Sequence, residues 1–119
     1  MNDIKTKDDV RLMVDSFYQK VGEDDLLAPI FIGHSKVEWS KHLPKMYDFW
    51  NTILLYQGGY KGSPFAVHEA LPVDSFHFER WLNLFNQTID DNFKGENAEI
   101  AKNKAKMIGL TFQAKMNLL

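Results

Sequence analysis

Four side chains with polar tips stand on apolar helical stripes of this sequence: Tyr18, His42, His68 and Trp81. His68 has the most specific setting. It lies in Gly62-Ser63-Pro64-Phe65-Ala66-Val67-His68-Glu69-Ala70-Leu71-Pro72. That run reads as a short helix, with Ser63 as cap, Pro64 in the first turn and Pro72 barring continuation. Phe65, His68 and Leu71 share a face at spacings of three, so the imidazole points where the apolar side chains point. An inward imidazole needs partners for its nitrogens: a backbone carbonyl in a plain core, or a metal. Taken singly, Tyr18 and Trp81 are ordinary half-buried core residues, and His42 can pair with Glu38 one turn earlier. Together, on four different helices, the four read as the walls of one polar-tipped cavity.

The elements that would carry them follow from the spacing of apolar residues. Val10, Met13, Val14, Phe17, Tyr18 and Val21 repeat at three and four, after a Thr6-to-Asp9 cap pattern and before Gly22. Leu26 to Ile32 is short and broken by Pro29, which predicts a turn and a single helical turn. Ser35 with Glu38 resembles a capping box opening the stripe Trp39, His42, Met46, Phe49, Trp50, Ile53 and Leu54. Pro44 conflicts with that stripe, predicting either a kink near residues 40 to 44 or a separate preceding turn. A glycine-rich stretch from Gly58 to Pro64 leads into the His68 helix. Phe78, Trp81, Leu82, Phe85 and Ile89 form a further stripe after Asp74-Ser75. A last helix opens at Asn97 and carries Ile100, Ala101, Ala105, Ile108, Phe112 and Met116. His34 and His77 are expected to be exposed. No segment alternates with period two, so the fold class is all-α with about five main helices, in one domain over residues 1–119.

Composition narrows the chemistry. The chain has 119 residues, no cysteine, a net charge of -2 and 13% aromatic residues. Without cysteine there are no disulfides, thiolate ligands, iron–sulfur clusters or cysteine nucleophiles. The charge gives no reason to expect nucleic acid or an anionic membrane. No apolar run approaches a membrane span, and the N-terminal residues do not form a signal peptide, so a cytoplasmic protein is expected. A monomer is expected as well. The many flat side chains suit either a packed core or a flat ligand.

The ordered motifs carry a resemblance. Phe17-Tyr18-Gln19-Lys20-Val21, Pro29-Ile30-Phe31, and Trp39-Ser40-Lys41-His42-Leu43-Pro44-Lys45-Met46-Tyr47-Asp48-Phe49-Trp50 resemble the truncated haemoglobins. So do Tyr60 to His68 and Phe78-Glu79-Arg80-Trp81-Leu82-Asn83-Leu84-Phe85. The match is to group III, over roughly residues 8 to 116. The resemblance implies a truncated globin-like, two-over-two helical sandwich around haem b. It implies His68 as the iron ligand, and Tyr18, His42 and Trp81 as the residues that stabilise and gate a bound gas. It places Phe31 against the haem face, Lys45 toward a propionate, and Met46 over the distal side. Phe49, Leu71 and Phe78 complete the cofactor contacts. Pro44 agrees with group III patterns. The implied ligands are O2, NO and CO. Oxygen transport or storage is one implied role; peroxidase-like or NO dioxygenase activity is another, and the latter needs an external reductase.

Two rivals remain on residue grounds. A dinuclear iron bundle needs inward Glu-x-x-His pairs, whereas Glu38 and His42 are four apart. A zinc site fails because His42 and His68 lack close companions. A cofactor-free helical interaction module accounts for the stripes but not for the convergence of four polar tips.

Overall fold

The computed structural model describes residues 1–34, 39–57 and 73–118, with backbone alone for 32–34. His68, Leu71, the Ser35/Glu38 capping pair and the glycine-rich stretch ahead of Pro64 lie outside these residues. Four α-helices and one π-helical turn make up the described chain: α1 (Lys7–Glu23), π1 (Pro29–His34), α2 (Trp39–Leu55), α3 (Ser75–Asn92) and α4 (Glu96–Lys115). None of them is long and apolar enough to cross a membrane.

Local chemistry sets most of the ends. Thr6 caps α1 by accepting from the Asp9 amide, and the Asp9 carboxylate returns a bond to the Thr6 amide, the reciprocal pattern expected from sequence. Asp74 caps α3 through the amides of Phe76 and His77. The start of α4 is unusual. Its cap residue, Gly95, has no side chain, and Asp3 supplies the missing acceptor from the other end of the chain. The Asp3 carboxylate takes the amides of Asn97 at 2.9 Å and Ala98 at 2.8 Å. At the far end of α4, Asn117 adopts the left-handed conformation, and the amides of Asn117 and Leu118 close back onto Ala114 and Gln113.

Pro44 sits within α2, which is one element from Trp39 to Leu55, with no separate turn before it. Pro44 faces solvent, so the amide it lacks is missing on the wet side of the helix. The expected stripes of α1 and α2 are the buried faces: Val10, Met13, Val14, Phe17 and Val21, then His42, Met46, Trp50 and Leu54. In α4 the stripe is shifted. Ala98, Ala101, Ala105, Gly109 and Phe112 are buried, while Ile100 is 39% exposed. The small residues let α3 approach closely, and that choice of face turns Ile100 outward.

The helices pack as two pairs, α1 with α2 and α3 with α4, joined chiefly through α1 against α3. Between α1 and α2, the Tyr47 hydroxyl donates to Asp15, and the Arg11 guanidinium lies 5.0 Å above the Tyr47 ring. From α3, Arg80 reaches Asp24 at 2.7 Å, in the turn after α1. Asp24 also accepts the amides of Leu26 and Leu27. That turn carries Leu27 and Phe31 toward the space between the pairs.

Candidate functional site

Phe17 is the hub of the aromatic packing. Its ring meets Tyr18 at 5.1 Å, Trp81 at 5.8 Å and Phe85 at 5.3 Å. Phe85 is in turn stacked between Trp81 and Trp50, with interplanar angles of 20° and 22°. Such contacts fix ring orientation as well as burying area. These rings line, with residues of α4, a cavity of about 890 Å³, counting the part open to solvent. The wall is almost wholly hydrocarbon. Among its described residues only Tyr18, Trp50, His77 and Trp81 carry a side-chain nitrogen or oxygen.

Tyr18, Phe31, Met46, Phe49, Phe78 and Trp81 all line this cavity, although they come from α1, π1, α2 and α3. Burial pushes the Tyr18 phenol well above its ordinary pKa, so it stays protonated and remains a donor. Its hydroxyl makes no hydrogen bond among the described residues. His42 is buried behind Tyr18, with its ring edge-on to Tyr18 at 5.9 Å and to Trp39 at 5.4 Å. It is not part of the described cavity wall. Lys45 is exposed on α2, also outside that wall.

Three features of the site were not anticipated from sequence. His77, expected to be exposed, is half-buried and lines the cavity. Its Nδ1 lies 2.9 Å from Asp74 Oδ1 and 3.1 Å from the Asp74 amide nitrogen, so the cap that starts α3 also draws the ring inward. The spacing to Trp81, one helical turn, was the available signal. Trp39 bridges Tyr18, Phe31 and His42, and shares the His42 stripe at a spacing of three. Gly109 is a wall residue where, among the described residues, a Cβ would meet only the Trp81 ring, at 3.9 Å. A glycine inside a helix carries no periodicity signal and was passed over.

An all-helical, two-pair fold around an apolar cavity with aromatic, polar-tipped walls is that of a truncated globin. Residues 2–116 match the family model for bacterial-like globins, and the chain belongs to that family of haem-binding proteins. Within it the chain falls with the group III truncated haemoglobins. It is 35% identical over 111 residues to the group 3 truncated hemoglobin ctb of Campylobacter jejuni, covering 90% of this chain and 87% of that protein. The crystal structure of the group III truncated hemoglobin from Campylobacter jejuni superposes with a TM-score of 0.85 at 30% identity. That superposition covers 98% of this chain and 95% of the other.

Proposed function

We propose that this protein is an oxygen-binding globin in which His68 ligates haem b and Tyr18 and Trp81 hold the bound gas by hydrogen bonding. The observation that carries the reading is that Tyr18 and Trp81 stand on the wall of one large apolar cavity, both packed on Phe17. The residues fit a haem. The wall offers flat aromatic and aliphatic surface to a flat apolar ring and leaves few polar groups that a hydrocarbon edge would strand. When bound, haem supplies an iron with an open coordination position for a diatomic ligand.

The chain's own contribution is to prepare that position. A buried phenol with a raised pKa donates a proton without losing it, and the Trp81 indole can only donate. Both donors favour a ligand that carries partial negative charge. His42 and Trp39, edge-on to Tyr18, restrict the phenol ring from behind. Apolar neighbours such as Val14, Leu27 and Phe31 exclude water, which would otherwise compete for both donors.

A hydrogen bond to a charged acceptor is worth about 1.5–3 kcal/mol. Removing one should therefore speed oxygen release roughly 10- to 100-fold if the loss falls on dissociation. Stopped-flow oxygen displacement from Tyr18→Phe and Trp81→Phe tests this. Faster release in either variant is expected; wild-type rates in both would refute the donor assignment. Turnover of NO or peroxide would draw on the same donors and on an external reductase.

A further inference from the structure

We infer that His77, oriented by Asp74, is the anchor for a carboxylate side chain of the bound ring. The inference rests on the haem reading above and adds a binding residue to it. A haem is apolar over most of its surface but carries two carboxylates, and an ionised carboxylate against a hydrocarbon wall is costly without a donor. Of the four polar-tipped residues on the described wall, Tyr18 and Trp81 serve the gas in the reading above and Trp50 is stacked on Phe85, which leaves His77 for the carboxylate. Lys45 is exposed and outside the described wall.

The geometry supplies the orientation. Nδ1 accepts the Asp74 amide at 3.1 Å, while the Asp74 carboxylate beside it is taken up by the Phe76 and His77 amides, so the ring proton sits on Nε2, which is left as the donor. An N–H donated to one ring nitrogen fixes the tautomer and makes the other nitrogen the donor. His77 is also the third residue of an 18-residue helix, at the end whose dipole favours an anion. Its side chain is only 17% exposed, so water competes little for Nε2.

The test is the rate at which ferric haem leaves the loaded protein for an excess of an apoprotein scavenger. It is run in parallel with haem dimethyl ester, whose carboxylates are blocked. His77→Glu keeps an acceptor for the Asp74 amide, as glutamate does in a capping box, but presents an anion to the ring. His77→Gln keeps both the acceptor and an N–H donor. Haem should leave His77→Glu roughly 10-fold faster than wild type or more, the size of a lost charge-assisted bond. It should leave His77→Gln at close to the wild-type rate. The dimethyl ester should leave all three at similar rates. Haem and ester accelerated equally, or neither accelerated, would overturn the assignment to a carboxylate. A wild-type protein that takes up neither ring would overturn the haem reading itself, and this anchor with it.

Discussion

Asp24 shows how a single side chain can position part of the site from outside it. One carboxylate oxygen binds Arg80 on α3 and the other holds the amides of Leu26 and Leu27, so the turn that delivers Leu27 and Phe31 to the cavity is tied to α3. Burial pushes the Asp24 pKa up, but the Arg80 bond and the two amides outweigh it and leave the carboxyl below its ordinary value. A group whose folded pKa is depressed stabilises the fold above its unfolded pKa, and that contribution is lost as pH falls through the folded value. The destabilisation caused by Asp24→Asn, read from urea midpoints, should therefore be largest near pH 7 and shrink below about pH 4, in the ordinary carboxylate range. A penalty that does not change between pH 7 and pH 3 would contradict it. Nothing in the sequence points to this pairing, because Arg80 is 56 positions from Asp24 and no local pattern joins them. Residue types alone did pick out Tyr18 and Trp81, since a polar tip on an apolar stripe is visible without coordinates.

The helices themselves were legible because burial imposes a 3.6-residue period on sequence, and Thr6 and Asp74 mark two starts by side-chain chemistry. What escaped depends on partners far away in the chain. The cap of α4 comes from Asp3, so Gly95 looks like a plain breaker and the spacing opens the helix one residue late, at Asn97 rather than Glu96. Ile100 was assigned to the core because it is apolar, yet helix contact selects the small residues of α4 instead. The cap glycine of α4, Gly95, and the glycine within it, Gly109, make a sharp contrast. At Gly95 φ is 147° and a Cβ would lie 2.5 Å from the Asp3 Cγ, so Gly95→Ala strains the backbone and displaces the cap. A loss of about 2 kcal/mol or more is expected from the two effects. At Gly109 the added methyl meets, among the described residues, only Trp81, at 3.9 Å, and Gly109→Ala should stabilise by up to about 1 kcal/mol from helix propensity. Denaturant midpoints for the two variants that move in the same direction would refute this account of α4.

At the scale of the molecule, two helix pairs leave between them a cavity that side chains do not fill. Phe78 and Trp81 are half-buried on that opening, both on the cavity wall, and Phe78 also meets the Phe112 ring of α4 at 6.5 Å. The cavity was legible only as a convergence of polar tips, because periodicity reports which face is inward and not whether it is covered. The family resemblance supplied the occupant, and the bacterial-like globin match agrees with it. Anything that binds the folded state alone raises its stability, so haem should raise the thermal midpoint of the apoprotein. The most direct measurement is a titration of the apoprotein with haem, following the Soret band, for wild type and for His68→Ala. Wild type should bind one equivalent tightly and give a five-coordinate ferrous spectrum on reduction, while His68→Ala should bind weakly or not at all. Equal affinity and the same ferrous spectrum in both proteins would contradict the account.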